Sequence, residues 1–354
     1  MDQPHASLLT ALNDDVLLLI CAALQQLTLK IQTSRDSLTT TVYLKVLSLT
    51  CKRLRALCIP QLFESITLCC GPESTWADAL ARLEAWDPAI GRYARAVTIT
   101  LLSRSKEELP FPVSLPAKLA NFLQSIASSS LRLDSLTFLI DTDRTPLFAA
   151  EFARRRLVFP GVRRLTLGPA NEVLIAHFPD THTLSGRRYE WLTNAKEPSH
   201  ALVRAAAGLE RLECLVLREH WDPRLMDAVQ DVLPRLKILV MAPPSTLHRD
   251  LPLETLVAYL SRFPALAILS VPPSAVLLAG FTLSHSGLLT RDNVQKRRAE
   301  AEERIARAVF EQCAQMREVW FGRSRRATLG LEAEAEGGRR KLVWDSKVPV
   351  WLQR

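Results

Sequence analysis

The chain has 354 residues, enough for about two domains at roughly 150 residues each. Hydrophobic residues make up 48% and charged residues 23%, a globular balance that excludes a disordered or fibrous chain. The 45 basic residues set against 37 acidic ones leave a net charge of +8, which admits an acidic partner surface without demanding nucleic acid.

The N-terminal fifth is organised around 11–68. Leu12, Val16, Ile20 and Leu24 recur every four residues, the spacing of one helical face. A polar interruption follows over 25–41, rich in Thr and Ser, and reads as a solvated loop. Tyr43, Val46, Leu47, Thr50, Leu54, Leu57 and Cys58 then fall at helical intervals. Pro60 is expected to end that helix and to open a short third one, because it lacks an N–H but suits a first helical position. Phe63, Ile66 and Leu68 give this last turn its apolar contacts. Three short helices of this kind carry more apolar surface than they can bury among themselves.

The segment CKRLRALCIPQLFESITL, from Cys51 to Leu68, together with the preceding helix, resembles the F-box of fungal F-box-like proteins. The matching positions are Leu12, Asp15, Val16, Ile20 and Leu24, then Leu47, Leu49, Cys51, Lys52, Arg53 and Leu54, then Pro60, Leu62, Phe63 and Leu68. Asn13 stands where the family carries proline, and 25–41 is longer than the family's connection. The resemblance implies a helical module over 1–70 that docks on a Skp-type adaptor, and through it on a cullin. The adaptor contacts it implies are Leu12, Val16, Ile20, Leu24, Leu47, Cys51 and Leu54. A small helical cap that binds nothing is the structural alternative.

Val16 to Leu24 is an unbroken apolar run, but Asp2, Asp14 and Asp15 precede it and Lys30 follows it. A signal peptide requires the opposite order of charge, and the run is about half the length that spans a bilayer. The seven cysteines include no C-x-x-C pair, so neither zinc-ribbon nor thioredoxin spacing is present. They read as reduced thiols of a cytoplasmic or nuclear protein.

Gly71 and Pro72 mark a boundary. Beyond it a unit recurs, clearest in FPGVRRLTL (Phe159 to Leu167), FPDTHTLSG (Phe178 to Gly186), LERLECLVL (Leu209 to Leu217), LPRLKILVM (Leu233 to Met241) and FPALAILSV (Phe263 to Val271). ARAVTI, LDSLTF and MREVWF are weaker copies. Each resembles the strand segment of a leucine-rich repeat. The strand cores start at Val97, Leu136, Leu165, Leu184, Leu215, Leu239, Leu269 and Val319, separated by 19 (Leu165 to Leu184) to 50 residues (Leu269 to Val319). Regular repeats run about 20 to 29 residues, so the array is degenerate.

Helical patterns lie between these strands. They cover Pro112 to Ser125, Pro223 to Leu233, Leu253 to Phe263 and Arg291 to Cys313, the last with Val294, Ala301, Ile305, Val309 and Cys313 as its inward stripe. Strand alternating with helix argues for an α/β fold with a parallel sheet. The expected architecture is therefore a helical F-box-like module over 1–70 followed by an irregular leucine-rich-repeat-like solenoid over 71–354. Within it, 323–341 reads as a charged loop and 342–354 as a terminal cap.

No chemistry-bearing motif stands out. His177 and His182 lack a third ligand, Ser284–His285–Ser286 lacks a strand–elbow–helix setting, and no phosphate-binding glycine loop occurs. The expectation is a non-enzyme with no cofactor, metal, nucleic-acid or membrane partner. Strand alternation instead places Arg164, Arg187 and Arg218 on the sheet face opposite the leucines, with Val216, Val240 and Trp320 further along it. These six residues are the candidate target-binding set, suited to an acidic or phosphorylated protein segment. The whole reads as the substrate-recognition subunit of a Skp–cullin–F-box ubiquitin ligase; a repeat scaffold with no ligase role is the alternative.

Overall fold

The computed structural model describes residues 12–31, 39–70, 75–102, 111–129, 133–187, 198–218, 223–241, 252–271, 291–322, 325–331 and 340–346. The chain is mixed α/β with a largely parallel sheet that does not close. It divides into two compact units, residues 1–137 with 150–157, and residues 138–149 with 158–354. The expected boundary at 70/71 falls inside the first unit.

In the first unit, helix α1 (Asp14–Ile31) starts where Asn13 accepts from the Asp15 N–H (3.4 Å) and the Leu17 N–H (3.1 Å). Two aspartates in its first turn suit the positive end of the helix dipole. Helix α2 (Thr39–Thr50) follows, so most of the expected 25–41 loop is helix. The remaining part, 32–38, lies outside the described residues.

Helix α3 (Lys52–Leu62) begins after a break at Cys51. Sequence periodicity runs through this break, but Cys51 is extended (φ −156°, ψ 164°) and its thiol caps the Leu54 N–H at 3.5 Å. The Arg55 guanidinium donates to the Ser48 carbonyl at 3.2 Å, satisfying an end of α2 that would otherwise lack a partner. Pro60 does not end α3 and opens no third turn; it sits inside the last turn. Beyond Phe63 the chain becomes strand β1 (Ser65–Cys70), paired in parallel with β2 (Ala96–Leu101), Leu68 opposite Ile99. Of the residues expected in a helical turn, Ile66 and Leu68 are thus sheet, and Phe63 is the C-cap of α3.

Between these strands lie α4 (Trp76–Glu84) and α5 (Pro88–Gly91). A reciprocal capping box starts α4, Thr75 Oγ1 accepting from the Asp78 N–H (3.2 Å) and Asp78 from the Thr75 N–H (2.7 Å). The bond from the Thr75 backbone holds the Asp78 carboxyl below the usual carboxylate range. Helix α6 (Leu115–Ser129) buries Leu115, Leu119, Phe122, Leu123 and Ile126, the stripe its sequence spaces at helical intervals. The division between the units runs through β3 (Ser135–Ile140) and α7 (Thr145–Arg154).

The second unit carries β4 (Arg164–Leu167), β5 (Thr183–Gly186), β6 (Cys214–Leu217), β7 (Ile238–Met241), β8 (Ile268–Val271) and β9 (Glu318–Phe321), parallel and adjacent in chain order. Leu165, Leu184, Leu215, Leu239, Leu269 and Val319 form one buried row, each at most 1% exposed. All eight expected strand cores lie in strands. Helices α8 (Pro198–Ala205), α9 (Pro223–Val232), α10 (Leu253–Leu260) and α11 (Arg291–Gln312) lie between strands in sequence. In α11, Ala301, Ile305 and Val309 are buried, as their spacing predicts.

The charged stretch after Phe321, expected to be a loop, contains a hairpin. Strand β10 (Arg325–Leu331) pairs antiparallel with both β9 and β11 (Arg340–Ser346). Gly322 has φ +66°, the left-handed geometry that turns β9 back on itself. Two of its charges, Arg325 and Arg326, are paired. Arg326 donates to Glu318 (2.8 Å) and to Asp345 (2.9 Å). Arg325 pairs with buried Glu302 of α11 and lies 4.3 Å from the centre of the Trp344 ring.

One buried polar residue ties strands together. Asn171 is 0% exposed; its amide accepts from the Ile140 N–H (3.3 Å) and donates to Ile140 O (3.0 Å) and Pro169 O (2.8 Å). The preceding Ala170 is left-handed (φ 59°), a strained turn that aims Asn171 inward. Asn171→Ala leaves the Ile140 amide and carbonyl without this partner. It should cost about 1–3 kcal/mol, read as a lower urea midpoint.

Candidate interaction surfaces

Helix α1 is apolar all round from Val16 to Cys21, so packing and not periodicity decides which residues are free. Cys21, Leu44 and Cys58 form the buried core of the three helices, with Leu24, Leu47 and Leu62 packed against it. Leu17 and Leu54 are also buried, at 1% and 2% exposure. The Cys21 and Cys58 thiols share a hydrogen bond at 3.7 Å, and burial pushes the Cys58 thiol up to about 12. On the other side of α1 stand Val16 (41% exposed), Leu18 (40%) and Leu19 (70%). On α2 the counterparts are Tyr43 (59%), Val46 (57%) and Leu49 (68%). Six of the eleven exposed large hydrophobics among the described residues belong to these two helices.

The expected adaptor set therefore divides. Val16 is exposed, and Leu12 and Ile20 are half-buried. Leu24 and Leu47 pack against the core, and Leu54 is inside it. Cys51 is spent as a helix cap. Leu54, Leu47 and Leu24 are thus turned toward the core of the three helices, whereas Leu19, Val46 and Leu49 are exposed. Arg53 fixes the start of α1 to α3, pairing with Asp14 (2.6 Å) and donating to the Leu12 carbonyl (2.7 Å).

On the sheet face opposite the buried leucines, the register aligns two rows. One runs Arg164, Thr183, Cys214, Ile238, Ile268, Glu318; the next runs Thr166, Ser185, Val216, Val240, Ser270, Trp320. Arg187 and Arg218 follow two residues beyond Ser185 and Val216, just past the ends of the neighbouring strands β5 and β6, and both are exposed. Arg164 shares their face but lies one strand-length back, about 13 Å at ~3.3 Å per residue. The three arginines thus form a pair and an outlier, not one cluster.

The expected anchor pocket is not open. Val216 is half-buried, Val240 is 5% exposed and Trp320 2%. Trp320 donates through Nε1 to Glu318 (2.8 Å), and the Arg326 guanidinium stands 5.7 Å from its ring centre. Strand β10, expected to be a loop, is the next strand of the sheet and puts Arg326 opposite Trp320, with its guanidinium against that ring. What remains accessible is a polar and basic patch of Thr166, Ser185, Arg187 and Arg218. No acidic residue occurs at the aligned positions of β4 to β8.

The described residues include no group of three or more side chains arranged to hold a metal. Burial also raises the thiols of Cys214 and Cys313, to about 12 and about 11, so they are protonated and poor nucleophiles. No described helix is long and apolar enough to cross a membrane.

The two sides of the helical module respond differently to substitution. Leu54→Ala should cost about 2–5 kcal/mol, as for other buried leucines. Leu19→Asp should leave the thermal midpoint nearly unchanged, since an exposed site away from caps and core shifts stability by about 0.5 kcal/mol or less. Parallel melts followed by circular dichroism check both.

No family model matches this chain, and no curated protein matches it either.

Proposed function

We propose that the chain is the substrate-recognition subunit of a Skp–cullin–F-box ubiquitin ligase. The N-terminal helices take the adaptor and the repeat-like second unit takes the target. The observation that carries this reading is the exposed apolar surface of α1 and α2. Leu19, Val46 and Leu49 are surplus to a core already completed by Cys21, Leu44, Leu54 and Cys58. An excess of exposed apolar side chains over a complete core is what a protein–protein contact requires. The F-box-like segment Cys51 to Leu68 suggests which protein. The adaptor-facing residues are then Leu19, Val46 and Leu49 with Val16, and the family-like leucines inside the core set the helix angles that present them.

For the target, the exposed pair Arg187 and Arg218 with the hydroxyls of Thr166 and Ser185 suits an acidic or phosphorylated segment. Guanidinium groups bind carboxylate and phosphate bidentately, and hydroxyls add donors between them. The chain performs no covalent step in this reading; it brings target and adaptor together.

The test is copurification of a Skp-type adaptor with the full-length chain. Parent protein should retain the adaptor, and Leu19→Asp combined with Leu49→Asp should lose it while keeping the parent's circular dichroism. Burying one leucine contributes roughly 1.5–3 kcal/mol, so two such losses amount to a fall of a hundredfold or more in affinity. A folded double variant that still captures the adaptor would sink the assignment. A parent that captures none would point to a repeat scaffold without a ligase role. In the same preparation, Arg187→Glu with Arg218→Glu should keep the adaptor and drop a discrete set of other proximity-labelled partners.

A further inference from the structure

Among the described residues β11 is the last strand of the sheet, and no strand pairs with its outer edge. An open edge offers a line of backbone donors and acceptors, and proteins usually blunt such edges with charge, proline or a bulge. Here the middle of the edge strand is Leu342–Val343–Trp344, and Val343 is 46% exposed. Its charges stand at the flanks, Arg340 and Lys341 before and Asp345 after.

This order is self-complementary. If two copies of β11 meet antiparallel about a two-fold axis at Val343, Lys341 faces Asp345 of the other copy, twice. Leu342 faces Trp344, twice, and Val343 faces its own counterpart. Directly opposed residues share a sheet face, so the two ion pairs flank the Val343 contact on one side. On the other side Leu342 of each copy covers the half-buried Trp344 of the other, whose ring already packs 5.6 Å from Phe321 and 4.3 Å from the Arg325 guanidinium. Shifting the register by one residue in either strand removes both Lys–Asp pairs. Asp345 also holds Arg326, and a carboxylate has the lone pairs to accept from both cations.

We infer that β11 is an association edge for a second copy of this chain, forming a two-fold antiparallel strand pair centred on Val343. Such an interface is isologous, with one patch serving both partners. It is also small, since one strand per copy falls short of the roughly 1,200 Å² typical of stable complexes. The dimer is accordingly weak and concentration-dependent. The inference stands apart from adaptor binding, which uses α1 and α2.

Two measurements on the full-length chain test it. Sedimentation across a wide concentration range should show a monomer–dimer equilibrium that Lys341→Glu shifts to monomer, because like charges directly opposed are destabilising. Mild oxidation of Val343→Cys should then give a disulfide-linked dimer on a non-reducing gel. Opposed residues in an antiparallel pair have Cα atoms about 4.5–5.5 Å apart, within disulfide reach. Lys341→Cys should not cross-link, because its two copies stand four residues apart along the strands, about 13 Å. Parent protein, with its own cysteines, is the background. A parent that stays monomeric at high concentration, with no cross-link at position 343, overturns the inference. So does cross-linking of equal yield at 341 and 343, or a dimer unaffected by Lys341→Glu.

Discussion

A single backbone arrangement recurs at the head of the strands. The carbonyl of the residue just before a strand accepts two N–H groups, from the residue before the next strand and from that strand's first residue. Glu64 and Arg95 do this in the first unit; Arg163, His182, Glu213, Lys237 and Ala267 do it in the second, all at 2.8–3.1 Å. A shared acceptor of this kind leaves no freedom for a one-residue slip. Slippage would turn every side chain to the opposite face and expose the leucine row. The variable spacing between strand cores, 19 to 50 residues, is therefore absorbed between the strands and not by the ladder. Other positions use side chains for the same purpose. Asn171 reaches the backbone of Ile140, and Gln315 donates to the Phe263 carbonyl (2.8 Å).

A parallel ladder has no natural end, and among the described residues the last strands of the second unit reverse direction. Gly322 permits the turn, and β10 and β11 add antiparallel to β9. Ala327 of β10, 0% exposed, continues the buried row at Val319. The cost of bringing a basic stretch against the sheet is offset by partners on both faces. Glu302, 1% exposed, takes Arg298 and Arg325 on the helix side. Glu318 and Asp345 take Arg326 on the other, and the hydrogen bond to the Asp345 carboxylate raises the proton affinity of the Arg326 guanidinium. A buried carboxylate without such cations would be strongly disfavoured.

The strands were legible because apolar residues at alternate positions return within a similar segment along the chain. Val97 through Val319 all fall where that pattern places them. The helical segments with one apolar stripe, such as Arg291–Gln312, were legible for the same reason. The misreadings share a cause, which is that composition was read where partners decide. Arg325 and Arg326 look solvated until Glu302, Glu318 and Asp345 are placed beside them. Cys51 looks like one more apolar helical position, and only its extended backbone reveals a cap. Pro60 looks like a terminus, yet a proline near the end of a helix removes one hydrogen bond and leaves the packing of Cys58 and Leu62 intact.

The exposed side of α1 was the hardest to read, for a physical reason. Val16, Leu17, Leu18, Leu19, Ile20 and Cys21 are apolar without interruption, so no period can choose the buried ones. The choice is made by size and by neighbours. Cys21 and Cys58 are both 0% exposed and their sulfurs meet at 3.7 Å, a distance that requires α1 and α3 to approach closely at small side chains. That approach fixes the rotation of α1. With Cys21 inward, helical geometry puts Leu17 and Leu24 beside it and turns Leu19 to the opposite side, half a turn away. The same logic on α2 puts Leu44 and Leu47 inward and Val46 and Leu49 outward. Two small thiols in the core thus determine which large residues remain on the surface, and so which ones a partner can meet.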